Sequence, residues 1–199
     1  DSATSLRRTG LAGRPFSSLT ATLDSLAKTG LTVFSLGDFE DADFARADSL
    51  TRGQVFVKAL AARHAGLVVR DAHPIVNELR ARKSPAEIAL LKKAADISSE
   101  GHRAAMLTAN PQHEYELRAS LEYTFTKLGA ERPGYGSIVG AGFNGTVLHY
   151  MKDTDPAKPG DLVVMDAAAE YHGYSADITR TIPVSGTFTP EQKQVYQIV

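Results

Sequence analysis

Two aspartates, Asp166 and Asp177, have the type and spacing to form a shared acidic site. Asp166 follows an apolar run at residues 162–165, which is typical of a buried strand, and Asp177 lies eleven residues later in a second β-forming stretch. If the chain reverses at residues 171–173, the two strands pair as a hairpin. The aspartates then lie directly opposite each other or one step apart on one face, and directly opposed residues have Cβ atoms roughly 4.5–5.5 Å apart.

Two ionised carboxylates at that separation repel each other strongly in a buried setting, and three arrangements relieve the repulsion. One carboxylate is protonated, a basic side chain lies between them, or a cation does. Arg180 is the obvious basic candidate, but strand alternation directs it to the face opposite Asp177. A divalent cation held by oxygen ligands is the simplest arrangement. The alternative, in which one aspartate caps the turn and the other faces solvent, stays open on spacing alone.

The histidines are less informative than the aspartates. Taken alone, His149 is better explained as a hydrogen-bonded core histidine than as a catalytic one. His172 falls in the predicted hairpin turn and is expected at the surface. Thr179 and Arg180 follow Asp177 and are candidates to orient its carboxylate, with ordinary cross-strand pairing as the alternative. The other histidines share no spacing with carboxylates and are predicted to be structural: His64, His73, His102 and His113.

Residues 140–145 match the glycine spacing of a dinucleotide-binding loop, with Asp166 about twenty residues further on. That fingerprint requires the glycine loop to open a helix. Here the β-forming residues 146–150 follow, and Pro156 and Pro159 interrupt what remains. We therefore interpret the stretch as a glycine-rich bend that allows close backbone approach, rather than as a nucleotide site.

Residues 1–82 alternate between helical and β-forming stretches, which predicts an α/β layer. None of these segments has the residue types of a reactive site, so we interpret this part as scaffold or partner surface. The predicted elements are a helix from Ser17 or Ser18 to about Lys28, a strand over 31–36, a helix over 55–65, a strand over 67–69 and a helix over 75–82.

Residues 83–199 begin with a strong helix-start signal. Ser84 and Glu87 can form a capping box, and Pro85 suits the first helical position. The predicted elements are helices from Ser84 to about Thr108, ended by Asn110-Pro111, and from Glu114 to Leu128, strands at 137–139, 146–148, 162–165 and 174–183, and a last helix from Thr189. The pattern as a whole predicts a mixed α/β (α+β) protein.

The composition excludes several classes of function. The 199 residues include 22 basic and 23 acidic side chains, so the chain lacks the basic excess expected of a nucleic-acid-binding protein. It has no cysteine, which removes disulfides, thiolate metal ligands and a cysteine nucleophile. No stretch has the character of a membrane span, and the first residues lack the features of a signal peptide. We expect a cytoplasmic protein whose partners include neither nucleic acid nor membrane.

The stretch from Asp166 to Val184 strongly resembles the first metal-binding hairpin of the pita-bread metallopeptidases, within them most closely the Xaa-Pro aminopeptidase and prolidase branch. The resemblance covers about residues 80–199. It implies that residues 1–82 are the later part of a creatinase-like N-terminal α/β domain and that residues 83–199 are the first half of a pita-bread catalytic domain. Four further motifs agree in order: residues 82–88 resemble the entry to the catalytic domain, 113–117 its second helix, and 137–140 followed by 148–150 the segment with its active-site histidine.

The resemblance implies a site for two divalent metal ions, manganese favoured and zinc or cobalt as alternatives. Asp166 would bind one ion, Asp177 would bridge both, and His149 would contact the substrate carbonyl or the tetrahedral intermediate. Two metal ions can generate a hydroxide at neutral pH and polarise the scissile carbonyl. The family completes its site with a His and two Glu, but no histidine follows His172 and the only acid after Asp177 is Glu191. We therefore expect these residues to be part of a longer polypeptide, or another chain to supply the missing ligands.

The function that the resemblance predicts is metal-dependent hydrolysis of the bond between an N-terminal residue and a following proline. The enzyme would be an Xaa-Pro aminopeptidase or dipeptidase, would act on proline-containing peptides and would be a homodimer. One alternative is a non-catalytic relative that keeps the fold as a binding module, and another is a creatinase-like hydrolase that keeps the fold without the metal. Asp166 and Asp177 argue against loss of the metal, whereas the missing ligands leave the binding module open.

Overall fold

The computed structural model describes residues 2–37, 50–108 and 111–199. The chain divides into two compact units, Asp1–Arg82 and Lys83–Val199. Both units combine helices with short strands, so the predicted mixed class is confirmed. Within the described ranges, every helix is too short or too polar to cross a lipid bilayer.

The first unit contains the predicted alternation of helices and strands. Its elements are α1 (Ser2–Thr9), a 3-10 turn (Phe16–Ser18), α2 (Leu19–Ala27), β1 (Val33–Ser35), α3 (Arg52–Arg63), β2 (Val69–Asp71) and α4 (His73–Ala81). Strands β1 and β2 pair in parallel, with Val33 opposite Val69, as expected when a crossover connects two strands. Helix α3 begins earlier than predicted because Thr51 and Gln54 form a capping box.

Two long helices open the second unit: α5 (Pro85–Met106) and α6 (Glu114–Lys127). The predicted capping box of α5 is confirmed, since the Ser84 hydroxyl accepts from the Glu87 amide and the Glu87 carboxylate accepts from the Ser84 amide. Helix α5 ends two residues before the predicted position. Asn110, half of the predicted stop signal, lies outside the described residues.

Two three-stranded sheets and a short last helix complete the second unit. The elements are β3 (Arg132–Pro133), β4 (Ile138–Ala141), β5 (Leu162–Ala167), β6 (Ala169–Tyr171), β7 (Tyr174–Ser175), β8 (Ile178–Pro183) and α7 (Pro190–Tyr196). One antiparallel sheet has the order β4-β5-β8, and the other has the order β3-β6-β7. Only Ala168 separates β5 from β6, so the chain passes from one sheet to the other at that residue.

The hydrophobic core of the second unit lies between the helices and the β4-β5-β8 sheet. Every second residue of β5 is buried there, and the residues between them are only partly buried. The apolar run at 162–165 indicated a strand buried on both faces, and that expectation is wrong for the face that carries Asp166. Fully buried core residues include Ile97, Leu117, Leu121, Phe125, Val139, Val163 and Met165.

The predicted strand at residues 146–148 is not present. A 3-10 turn occupies Gly142–Thr146, and an irregular segment follows it. Gly142 has a φ of 54°, which turns the chain out of the extended direction that the β-forming residue types favour. The glycine-rich bend was therefore predicted correctly, but the strand after it was not.

The predicted strand over residues 174–183 is interrupted. Its first part is β7 and its second part is β8, and residues 176–177 between them belong to no strand. The break has a topological cause, because β7 pairs with β6 in one sheet while β8 pairs with β5 in the other. Asp177 consequently lies where the returning chain changes sheets.

Gly101 provides a test of the packing between α5 and α6. A Cβ added there would overlap the ring of Phe125 on α6. We expect Gly101→Ala to lower the free energy of unfolding by about 1–3 kcal/mol, because overpacking outweighs the gain of roughly 1 kcal/mol in helix propensity. Urea unfolding measures the change. In a Phe125→Leu background the same substitution should cost less, and a stability gain in the wild-type background would contradict this packing.

Candidate metal centre

Three of the five candidate residues line one cavity in the second unit. Asp166, Asp177 and His149 border a space of about 380 Å³. The cavity is also lined by Tyr135, Gly136, Ile138 and Met151. Acidic and imidazole side chains therefore converge on a space large enough for ions and part of a peptide.

Strand pairing explains why the two aspartates approach each other. In the β5–β8 ladder, Asp166 is opposite Thr179 and Ala167 is opposite Ile178. Asp177 directly precedes this ladder, so it lies diagonally across from Asp166 on the same face. The sequence predicted that the two aspartates lie either directly opposite each other or one step apart, and the structure has them one step apart.

Tyr135 joins the two carboxylates. Its hydroxyl lies 2.7 Å from Asp177 Oδ1 and is also hydrogen-bonded to Asp166 Oδ1. A phenol has a single proton to donate, so three oxygen atoms converge with one hydrogen among them. Burial raises the pKa of Tyr135, and the hydrogen bonds and negative charges of both aspartates raise it further. The phenol is therefore held in its protonated form between two acidic groups.

These oxygen atoms fit part of a metal site. Carboxylate oxygens are the ligands that hard divalent cations prefer, and a cation would neutralise two charges where the phenol shares one proton. In the part of the chain that the structure describes, no group of three or more His, Cys, Asp and Glu side chains could hold a metal ion. Asp166 and Asp177 thus fit as two ligands of a larger set.

Tyr135 is not among the site residues predicted from the sequence. It lies three residues before β4, whose first residue, Ile138, pairs with Asp166. A residue just before β4 therefore lies close to Asp166, and this could be inferred only from the order β4-β5-β8. In the sequence β4 and β5 are two separate apolar stretches, and their residue types do not show that the two strands are neighbours in the sheet.

His149 reaches the cavity from the irregular segment after the 3-10 turn. Its φ of 53° is in the left-handed region, which is uncommon for a residue other than glycine. The residue is exposed, whereas Tyr150 immediately after it is only 9% exposed. The core location that best explains His149 on residue type alone is therefore wrong.

Thr179 and Arg180 lie on different faces of the sheet. Thr179 is the cross-strand partner of Asp166. Arg180 is opposite Met165, as strand alternation predicts, and its guanidinium donates to the Thr179 carbonyl at 2.8 Å. Arg180 therefore does not separate the two carboxylates.

The remaining histidines do not line the cavity. His172 is exposed in the hairpin turn, as expected, with Nδ1 2.8 Å from Glu131. His102 is buried on α5, and its Nε2 lies 3.3 Å from the Ala167 carbonyl. Burial lowers the pKa of His102, which favours a neutral ring that donates from Nε2. This contact ties α5 to the strand that carries Asp166.

Comparison with known proteins agrees with this architecture. Residues 89–199 match the sequence model of metallopeptidase family M24. Over 130 residues the chain is 45% identical to the Xaa-Pro aminopeptidase of Escherichia coli (strain K12). This alignment covers 65% of this chain and 30% of that protein. The structure of this chain superposes on proline aminopeptidase P II from Yersinia pestis with a TM-score of 0.80 and 33% identity, over 100% of this chain and 46% of that one. Superposition on zinc-substituted E. coli aminopeptidase P in complex with product gives a TM-score of 0.79 and 35% identity, over 98% of this chain and 44% of that one.

The fold is therefore that of the pita-bread enzymes, and the cavity with its two carboxylates lies within the matched region. The chain belongs to metallopeptidase family M24. It spans 30% of the length of the E. coli relative and less than half of the two solved chains named above.

Removing the Tyr135 hydroxyl tests its bridging role. We expect Tyr135→Phe to lower the free energy of unfolding by about 1–3 kcal/mol in buffer with a chelator, because two like-charged carboxylates lose their shared donor. Urea unfolding measures the change, and Tyr123→Phe, on the exposed side of α6, is the matched control expected to have no effect. Equal stability of Tyr135→Phe and the wild type would contradict the bridge.

Proposed function

We propose that the full-length protein is a metal-dependent exopeptidase that hydrolyses the bond between an N-terminal residue and a following proline, as an Xaa-Pro aminopeptidase or dipeptidase. The observation that carries this proposal is the convergence of Asp166, Asp177 and Tyr135 oxygens in one cavity beside His149. Membership of family M24 supports peptide hydrolysis, and the 45% identity to an Xaa-Pro aminopeptidase supports the preference for proline.

In this proposal Asp166 would hold one metal ion and Asp177 would be shared by two. Their oxygens suit manganese, which we favour, and also zinc or cobalt, because hard oxygen ligands accept several divalent ions. Two carboxylates do not complete a two-metal site. The remaining ligands, a His and two Glu, are proposed to come from outside these 199 residues or from another chain.

When bound, divalent metal ions lower the pKa of water and polarise the scissile carbonyl. The residues of this chain supply position and hydrogen bonds. Tyr135 keeps the two carboxylates together, and the exposed imidazole of His149 can donate an N–H to the carbonyl oxygen as negative charge develops there. Thr179 is the cross-strand partner of Asp166, and the Arg180 guanidinium donates to the Thr179 carbonyl; in this proposal both residues help to orient the carboxylates.

The proposed substrates are proline-containing peptides, and the proposed assembly is a homodimer in the cytoplasm. We propose that unit Asp1–Arg82 is the later part of a creatinase-like N-terminal domain and that unit Lys83–Val199 is the first half of the pita-bread catalytic domain. The superposition of the whole chain on a proline aminopeptidase supports both assignments.

Replacing Asp177 tests the metal assignment. We expect Asp177→Asn in the full-length protein to reduce bound metal and to lower turnover of an Xaa-Pro peptide more than about 10²-fold, since even the partners of metal ligands are worth 10–100-fold. Elemental analysis and peptide turnover measure the two effects. Asp96→Asn, which removes an exposed carboxylate paired with Lys92, is the matched control.

Unchanged metal content and turnover in Asp177→Asn would defeat the site assignment. Metal binding by the wild type without turnover of any Xaa-Pro peptide would instead favour the binding-module alternative. Turnover without bound metal would favour a creatinase-like hydrolase.

Replacing His149 separates substrate contact from metal binding. We expect His149→Ala to lower kcat about 10²–10³-fold, the usual cost of losing one donor to a developing oxyanion, and to leave the metal content unchanged. Steady-state kinetics and elemental analysis check this, with His172→Ala as the control. Loss of metal in His149→Ala would show that this histidine is a ligand and not a substrate contact.

A further inference from the structure

Glu114 is a fully buried carboxylate that the proposed chemistry does not use. It is the first residue of α6 and accepts four hydrogen bonds. Oε1 accepts from the Ala141 amide at 2.8 Å and from Asn144 Nδ2 at 2.9 Å. Oε2 accepts from the Tyr150 hydroxyl at 2.9 Å and from the Asp155 amide at 3.0 Å. Burying a carboxylate is costly unless it is hydrogen-bonded in this way, so the arrangement is specific.

The four donors come from one segment, residues 141–155, which contains His149. They lie at its start, in its 3-10 turn, directly after His149 and at its end. A single carboxylate therefore fixes the segment at four points. Burial raises the pKa of Tyr150 to about 12, helped by the hydrogen bond to Glu114 and its charge, so this donor keeps its proton.

A second side chain of α6 holds the same segment. Arg118, one turn after Glu114, donates from Nη1 to Asp153 Oδ2 at 3.1 Å. Asp153 is fully buried and has a left-handed φ of 49°. Two charged side chains one turn apart on α6 therefore hold the segment, Glu114 through hydrogen bonds and Arg118 through an ion pair.

The segment needs such support because its backbone conformation is energetically unfavourable. His149 and Asp153 both have positive φ, which costs roughly 1 kcal/mol or more for residues other than glycine. Such conformations persist only where the surroundings determine them. His149 is exposed, so its own side chain packs too little to do so.

We propose that Glu114 is a positioning residue, which holds His149 in its left-handed conformation at the edge of the cavity. It does so through its hydrogen bonds to the side chains of Asn144 and Tyr150 and to the main-chain amides at the two ends of the segment. The consequence for catalysis rests on the proposed function, in which His149 contacts the substrate. The four residues that donate hydrogen bonds to the Glu114 carboxylate are not among those that line the cavity.

Glu114→Gln tests this in the full-length protein. The side chain keeps its size, but an amide nitrogen replaces one oxygen and faces a main-chain N–H that can only donate. We expect the ring resonance of His149 to shift or broaden in the NMR spectrum of the metal-free protein, and kcat on an Xaa-Pro peptide to fall about 10²-fold, because a small misplacement can cost that much. The resonance is assigned with His149→Ala.

Phe125→Leu is the matched control for a general loss of stability. Phe125 is fully buried on α6 three turns from Glu114, and its ring lies against Gly101. This variant should lower the unfolding midpoint but move neither the His149 resonance nor kcat. An unchanged His149 resonance in Glu114→Gln, or an equal change in Phe125→Leu, would overturn the proposal.

Failure of the variant to fold and failure of the proposed function can each be distinguished from failure of this proposal. Should Glu114→Gln not fold, Tyr150→Phe removes one donor and keeps the ring, and it must move the His149 resonance in a folded protein for the proposal to stand. Should the wild type turn over no Xaa-Pro peptide, the proposed function fails, while the NMR comparison still decides whether Glu114 positions His149.

Discussion

Asp166 and Asp177 carry like charges on one face of an antiparallel sheet, and the chemistry of the cavity depends on their mutual repulsion. The buried side of β5 packs on the helices, so the backbone cannot easily move to separate the carboxylates. Tyr135 offers one proton to both. A divalent cation brings more positive charge to the same place than one shared proton does. The closeness of two carboxylates, which is unfavourable when they are free, is therefore favourable for binding a metal ion.

The fully buried acidic residues of this unit differ from those that line the cavity in how their charges are satisfied. Glu114 and Asp153 are fully buried, and each is satisfied by donors from this chain. Burial is the main reason that the pKa of Asp153 is raised, and the contact with Arg118 opposes that effect. Asp166 and Asp177 stay accessible from the cavity and share a single phenol. Satisfied buried charges thus hold the shape of the site, and incompletely satisfied charges are left for a ligand.

Features that depend on near neighbours in the chain could be predicted. The capping box of Ser84 and Glu87 involves residues three positions apart, and the start of α5 was correct. The strand expected at 146–148 and the unbroken strand expected over 174–183 were wrong. The residue types favour an extended chain in both places, but the turn at Gly142 redirects the first stretch and a change of sheet interrupts the second.

By itself the sequence determined the mixed class, the helix starts of the second unit and the pair of aspartates, since these follow from local patterns and from a hairpin of short separation. Only the tertiary structure decided the one-step offset of the aspartates, the exposure of His149 and the roles of Tyr135 and Glu114. Tyr135 meets its partners 31 and 42 residues away, and Glu114 meets the amide of Asp155 41 residues away. No local periodicity encodes such pairings, because they are set by the order of strands in the sheet and by the packing of α6 beside it.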